Sequence, residues 1–200
     1  MVLNKLRQSI SPFLLSLGKI IDRKGIPAIF FTIMGGIISG LSALLFAYLP
    51  RATYFAAIAL LIAGIFDVLD GSVARASNKI SKAGSLSDST VDRIAEIAIF
   101  SGIAFGGEAS PALVAAALGA SLLVSYLRAK GESLGVPVSG LGVGERAERL
   151  IVLIAFSFFG IVSLGLYLVL ILASITVIQR FYKILRTIEI QKDAAGMLSL

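Results

Sequence analysis

Four aspartates fall within 26 consecutive positions of this sequence, and their spacing would give two acidic helix faces. Asp67 and Asp70 are three residues apart, and Asp88 and Asp92 are four apart. Residues at these intervals lie on one side of an α-helix. Because clustered carboxylates cannot all be ionised without compensation, and because hard divalent cations prefer oxygen ligands, this pattern indicates a metal site.

Small residues accompany the acids at helical spacing. Gly71 and Ala74 continue the face that begins at Asp67, and Gly84 lies one turn before Asp88. Missing side chains leave room for a ligand to approach the backbone. Two such faces on neighbouring helices are typical of a two-metal site acting on a phosphate ester or anhydride, since paired ions stabilise both the attacking and the leaving oxygen.

A purely structural alternative is open for the same acids. Arg75, Arg93 and the nearby lysines would then pair with them as ordinary ion pairs. The chain contains neither cysteine nor histidine, which excludes disulfides, thiolate nucleophiles and imidazole bases. Any metal would therefore be held by oxygen atoms, which suits Mg²⁺ or Mn²⁺.

The composition is that of a membrane protein. Of the 200 residues, 57% are hydrophobic and only 15% are charged, and the mean hydropathy is +0.94. These values exclude an ordinary soluble domain. The net charge of +6 is then best explained by positive loops at the membrane rather than by nucleic acid, which we do not expect as a partner.

The expected fold class is all-α: a polytopic membrane protein with six transmembrane helices preceded by an N-terminal amphipathic interfacial helix. A spanning helix needs about 20 apolar residues. Residues 2–20 are shorter and mixed, with the periodicity of a helix lying in the interface. We expect one domain over 1–200, with the interfacial helix in 1–24, the bundle in 25–186 and a cytoplasmic tail in 187–200. The predicted spans are 27–49, 53–74, 87–106, 111–131, 148–164 and 166–185.

The basic residues predict the orientation of the spans. Seventeen of the 18 lysines and arginines fall on one side of this topology, and Arg51 is alone on the other. Such an asymmetry places both termini and the long loops in the cytoplasm of a cell membrane, and the acidic site with them. Gly36 and Gly40 in the first span predict close helix packing, and the glycine-rich run 140–144 predicts a flexible loop.

The acidic stretch resembles the CDP-alcohol phosphotransferase family over an eight-position motif, D-x2-D-G-x2-A-R-x8-G-x3-D-x3-D. The resemblance implies transfer of a phosphatidyl-type group from a CDP-linked lipid to an alcohol, with release of CMP, by a homodimeric enzyme that uses two Mg²⁺ ions, with Mn²⁺ as an alternative. It implies that Asp67 bridges two metals, that Asp70 and Asp88 are further ligands, and that Asp92 is both ligand and general base. The motif residues are Asp67, Asp70, Gly71, Ala74, Arg75, Gly84, Asp88 and Asp92.

The same resemblance implies where the CDP-linked lipid binds. The motif itself contributes small residues and one arginine, and a serine before the second acidic helix matches a further contact. A threonine near the start of the first span is an additional candidate. These residues are Gly71, Ala74, Arg75, Ser81, Gly84 and Thr32.

Arginines in the second half of the chain indicate which kind of alcohol accepts the lipid group. Their number favours an acceptor that carries a phosphate, because the planar fork of arginine binds phosphate bidentately. The flanking Ser-Tyr-x-Arg-Ala and Glu-Arg-x-Glu-Arg patterns resemble the family members that use inositol phosphate, which is our main interpretation. Glycerol-3-phosphate is the alternative acceptor, and positive-inside charge is the structural explanation. The cations are Arg128, Arg146, Arg149 and Arg180.

Two readings from other classes compete with the enzyme. In a transporter or channel the acids would line an ion path, but such proteins often contain inverted repeats or broken helices, which this sequence lacks. In a catalytically silent membrane scaffold, four costly carboxylates would serve no purpose.

Overall fold

The computed structural model describes residues 2–77 and 81–197, and the side chains of residues 11–77 and 81–192. Within these ranges all regular secondary structure is helical, which confirms the expected all-α class. A single 3-10 turn, Pro50–Ala52, separates two of the helices. The α-helices are α1 Val2–Arg23, α2 Ala28–Tyr48, α3 Thr53–Ala76, α4 Lys82–Phe105, α5 Pro111–Ser133, α6 Arg146–Phe158 and α7 Val162–Met197.

Local side-chain chemistry defines where two of the helices begin. Ser81 caps α4 by accepting a hydrogen bond from the backbone N–H of Gly84, at 2.9 Å. Ser110 caps α5 in the same way, accepting from the N–H of Leu113, and Pro111 follows it at the first helical position. These caps satisfy backbone donors that have no partner inside a helix.

The observed helices follow the predicted spans except near the end of the chain. The turn between the last two helices lies at 159–161, where Gly160 has φ +71°, rather than near Gly165. Gly165 is helical and packs closely on Phe156. The predicted tail from 187 onward is helical through Met197, because α7 continues without a break.

Four helical stretches of the described chain are long and apolar enough to cross a bilayer: Ala28–Tyr48, Pro50–Ala76, Pro111–Ser133 and Val162–Lys192. The other two predicted spans, in α4 and α6, are not among these stretches, and each has a physical reason. Helix α4 carries Asp88, Asp92, Arg93 and Glu96, which make it too polar to meet the same criterion. Helix α6 has 13 residues, which at 1.5 Å per residue cover about 20 Å, less than the roughly 30 Å of a hydrocarbon core.

The main hydrophobic core is formed by side chains from α2 to α7 and contains none of the acidic residues. Phe46, Leu60, Ile103 and Leu166 are among its completely or almost completely buried members. Helix α2 packs on α3 and α4, α5 packs on α7, and α6 packs between α3 and α7. Many large apolar side chains remain exposed on the outside of the bundle, as expected for surfaces that face lipid rather than water.

Glycines bring α2 and α4 into close contact. A Cβ added at Gly102 would meet the backbone carbonyl of Ala43, and one added at Gly106 would meet the carbonyl of Phe46. Gly36 and Gly40 were predicted to allow close helix packing. Gly36 does so, since a Cβ added there would lie 2.8 Å from Cγ1 of Val91 on α4. A Cβ added at Gly40 would have nothing within 4 Å. Small residues at such crossings are a general feature of membrane helix packing.

We expect Gly102→Ala to lower the free energy of unfolding, because the added methyl group would push α4 away from the α2 backbone. Overpacking of this kind costs about 2 kcal/mol, which corresponds to a fall of about 4–8 °C in Tm. Thermal melting in detergent followed by circular dichroism at 222 nm measures the change.

Gly119→Ala is the matched control, since it makes the same substitution inside α5 at a position with open space around it. Its Tm should be unchanged or slightly higher, because alanine is the better helix former. Equal melting of both variants would contradict the close packing of α2 on α4.

Candidate active site

The acidic residues meet where α3 ends and where α2, α4 and α6 begin. Asp67 and Asp70 lie in the last three turns of α3, and Asp88 lies in the second turn of α4. One carboxylate oxygen from each of these three residues lies within 4.8 Å of the other two. These distances bring the acidic face of α3 together with that of α4.

The deepest carboxylate of the cluster is held by a threonine from α2. Thr32 is buried, and its hydroxyl donates a hydrogen bond of 3.0 Å to Oδ2 of Asp70, which is itself only 7% exposed. This bond restricts the rotation of the carboxylate. Such a contact to a ligand is typical of the residues that orient metal sites from behind. Thr32, predicted to contact the CDP-linked lipid, thus lies within the site and touches Asp70.

Arg146 links the two acidic faces. Its Nη1 atom lies 3.0 Å from Oδ1 of Asp67 on α3, and its Nη2 atom lies 2.8 Å from Oδ1 of Asp92 on α4. The other oxygen of Asp92 accepts a longer hydrogen bond of 3.3 Å from Arg93. Asp92 therefore faces the same space as the three clustered carboxylates, but in this arrangement its oxygens are paired with arginines.

Glu96 is a fifth acid of this site, and we did not single it out from the sequence. It lies four residues after Asp92, and its Oε1 accepts a 2.9 Å hydrogen bond from Arg149 on α6. Its Oε2 lies 3.8 Å from Nε of Arg93. The signal was present, because Asp88, Asp92 and Glu96 repeat every four residues along one helix face.

These side chains line a partly open cleft that is apolar at its inner end. Leu60, Ile99 and Phe100 are among the residues at its inner end. The five acidic residues named above face three arginines (Arg93, Arg146 and Arg149), so the ionised groups would leave two negative charges in excess. An excess of this kind at the edge of a membrane protein calls for bound cations.

The donor set fits divalent metal ions. Asp67, Asp70 and Asp88 offer oxygen atoms, they lie close enough together to share ions, and Asp92 adjoins them through Arg146. Mg²⁺ and Mn²⁺ accept such hard ligands and complete their coordination with water or with substrate phosphates.

Apart from Thr32, the residues predicted to bind the CDP-linked lipid lie in the last turns of α3 and at the start of α4, close in sequence to the clustered acids. Arg75 is exposed and folds back over Gly71, where a Cβ would lie 3.2 Å from Nη1 of the arginine. Ser81 and Gly84 are exposed and form the cap of α4, and Ala74 follows one turn after Gly71. The glycine therefore makes room for the arginine, whose Nη2 also donates a 3.4 Å hydrogen bond to Oγ of Ser72.

The predicted acceptor cations lie in three different environments. Arg146 and Arg149 line the cleft, but Arg149 is 3% exposed and also donates to the carbonyl of Gly144. Arg180 is 2% exposed and donates to the carbonyls of Leu141 and Val124 and to the carboxylate of Glu145. Arg128 is exposed on α5 and pairs with Glu132 at 3.1 Å.

The glycine-rich run 140–144 is packed against α7, whereas the sequence predicted a flexible loop. The N–H of Gly144 donates a 2.9 Å hydrogen bond to Oγ1 of Thr176. Gly142, with φ +117°, leaves no room for a side chain beside the same threonine. Arg149 on α6 and Arg180 on α7 also bind the loop, through the carbonyls of Gly144 and Leu141. Both arginines thus hold the segment that leads into α6 and Arg146.

Comparison with known proteins extends the resemblance to almost the whole chain. The sequence is 38% identical to archaetidylinositol phosphate synthase of Pyrococcus horikoshii over 188 residues, covering 94% of this chain and 99% of that protein. It is 36% identical to phosphatidylinositol phosphate synthase of Streptomyces avermitilis over 194 residues, covering 86% and 78% of the two chains.

Solved structures show the same fold. Phosphatidylinositol phosphate synthase of Mycobacterium tuberculosis, solved with CDP-DAG bound, superposes with a TM-score of 0.71 at 29% identity, covering 86% of this chain and 92% of the other. The same enzyme in complex with manganese and citrate superposes with a TM-score of 0.72, at the same identity, covering 86% and 88% of the two chains.

The family model described as CDP-alcohol phosphatidyltransferase matches residues 26–187, which include every acidic residue of the site. With this match, the acidic geometry and the near full-length relatives, the chain belongs to the CDP-alcohol phosphatidyltransferase family.

Proposed function

We propose that this enzyme transfers a phosphatidyl-type group, diacyl or archaeol-based, from a CDP-linked lipid to inositol phosphate and releases CMP. Relatives that are 38% and 36% identical to it over the aligned segments are named archaetidylinositol phosphate synthase and phosphatidylinositol phosphate synthase. A related enzyme with the same fold was solved with CDP-DAG bound.

The observation that carries the proposal is the convergence of three carboxylates from α3 and α4 within 4.8 Å, beside an arginine that reaches into the same cleft. Carboxylates at this separation suit cations that bind a diphosphate. The arginine supports an acceptor that already carries a phosphate. A neutral alcohol would leave Arg146 without a substrate partner.

Asp67, Asp70, Asp88 and Asp92 would hold two divalent ions, Mg²⁺ or Mn²⁺. Support comes from the oxygen-only donor set and from the manganese complex of the M. tuberculosis relative. When bound, such ions polarise the diphosphate and neutralise the negative charge that develops on the departing CMP.

The residues of this chain then position the reaction. The acceptor hydroxyl oxygen forms a bond to the phosphorus that bears the lipid, and the bond from that phosphorus to the CMP oxygen breaks. Asp92 accepts the proton of the hydroxyl on a carboxylate oxygen. An aspartate near cations is a weak base, so its contribution depends on holding the hydroxyl in line beside it. Arg75, which is exposed on the last turn of α3, would contact the CDP phosphates.

The position in the membrane follows from charge and helix packing. We propose that α2 to α7 all cross the membrane, with α4 and α6 shielded by their neighbours, and that α1 lies at the interface. The basic residues, seventeen of eighteen at one end, support a cytoplasmic site and cytoplasmic termini. The family resemblance supports a homodimer.

The acceptor is tested by offering purified enzyme a CDP-linked lipid and Mg²⁺ with either inositol phosphate or glycerol-3-phosphate. We expect CMP release with inositol phosphate, because cations at the cleft bind the phosphate and the larger polyol fills more of the opening. Nucleotide chromatography measures the CMP. Release with glycerol-3-phosphate alone would contradict the inositol assignment and support the glycerophosphate lipid instead.

Asp92→Asn should reduce CMP release by about 100-fold or more, because the amide can neither accept the proton nor serve equally well as a ligand. The measurement is the initial rate with saturating lipid and acceptor.

Glu189→Gln, which removes an exposed acid from α7, is the matched control and should keep the full rate. Circular dichroism of both variants shows whether they remain folded. A folded Asp92→Asn protein with normal turnover would exclude the catalytic role proposed for Asp92.

A further inference from the structure

Arg146 occupies a position between two helices that each contribute acids to the site. Its guanidinium bonds to Asp67 on α3 at 3.0 Å and to Asp92 on α4 at 2.8 Å, while its own backbone belongs to α6. One cation thus joins three helices at the centre of the cleft. Among the described residues, it is the only cation within 4 Å of Asp67.

The location of Arg146 is unfavourable for helix stability. It is the first residue of α6, where the partial positive charge of the helix terminus disfavours cations. Its side chain is only 26% exposed, so much of its hydration is lost. The two aspartates compensate for both effects. The pairing therefore explains why a cation can be accommodated at this position.

The oxygens that bind Arg146 belong to two of the four proposed metal ligands. A divalent ion on Asp67 and Asp92 would place two positive charges within a few ångströms of the guanidinium. Repulsion at that distance is twice that between two unit charges, and partial burial limits its screening. Metal ions and Arg146 therefore cannot both bind these carboxylates at full strength.

We propose that Arg146 competes with the divalent ions for Asp67 and Asp92, and that metal binding releases its guanidinium into the cleft to receive the phosphate of the acceptor. The first part depends only on the observed contacts. The second part rests on the proposed function. Together they make the phosphate-binding group available only once the metal ligands are occupied.

The released side chain has the chemistry to bind phosphate. It already lines the cleft, and the two nitrogens that now contact carboxylates on different helices form the planar fork that binds phosphate oxygens bidentately. Arg149 is less suited to this change, because it is buried and donates to both Glu96 and the carbonyl of Gly144. The acceptor phosphate would therefore bind after the metal ions.

The test is a titration of purified wild-type and Arg146→Gln protein with Mn²⁺, with free Mn²⁺ counted from its electron paramagnetic resonance signal. We expect the variant to bind Mn²⁺ about tenfold more tightly or better, since the competing cation is gone. Arg146→Lys keeps one charge but lacks the planar fork that reaches two carboxylates from separate nitrogens, and its Mn²⁺ affinity should fall between those of wild type and Arg146→Gln.

Arg51→Gln is the matched control, because it removes the same charge at the turn between α2 and α3, at the far end of the bundle. Its Mn²⁺ affinity should remain within about twofold of the wild type. An Arg146→Gln protein with wild-type or weaker Mn²⁺ affinity would overturn the competition. Weaker binding would show that Arg146 orients the carboxylates for the metal.

A second titration uses inorganic phosphate in the presence of saturating Mn²⁺. Wild-type protein should bind phosphate about tenfold more tightly than Arg146→Gln, and equal affinities would overturn the release step. The result is independent of the acceptor assay. Suppose that the Arg146→Gln protein gains Mn²⁺ affinity while the wild type releases no CMP with inositol phosphate. In that case the competition stands and the proposed function fails.

Discussion

Clustered negative charge at the end of a hydrophobic bundle is the constraint on which the rest of this structure depends. Asp67, Asp70 and Asp88 approach one another within 4.8 Å, and their mutual repulsion together with partial burial would separate α3 from α4 unless cations intervened. Arginines from α4 and α6 supply part of that positive charge. The remaining excess of negative charge favours bound divalent cations.

The fold meets this constraint by separating close packing from polar chemistry. Between α2 and α4, glycines such as Gly102 bring the helix backbones together away from the cleft. At the other end, the acidic residues of α3 and α4 and two arginines of α6 line the cleft. Two buried arginines, Arg149 and Arg180, hold the 140–144 segment in place, so that α6 begins where Arg146 can reach both acidic helices.

The local features of the site could be predicted from the sequence, because they depend on spacing along one helix. The pairing of Asp67 with Asp70 on one face is one example. The contact between Asp67 and Arg146 could not be predicted, since 79 positions separate the two residues and their meeting depends on how α6 packs. The burial of Arg180 could not be predicted either, because an arginine near a helix end also fits the positive-inside pattern. The end of α6 was misplaced because Gly160 and Gly165 lie in an unbroken apolar stretch.

The most direct test of the central claim is anomalous X-ray scattering from crystals soaked in Mn²⁺. We expect two peaks between α3 and α4, each about 2 Å from carboxylate oxygens of the set Asp67, Asp70, Asp88 and Asp92, with Arg146 displaced from Asp67. Peaks located elsewhere, or no peaks at saturating Mn²⁺ with Arg146 still bridging Asp67 and Asp92, would contradict the proposal that these aspartates form the metal site.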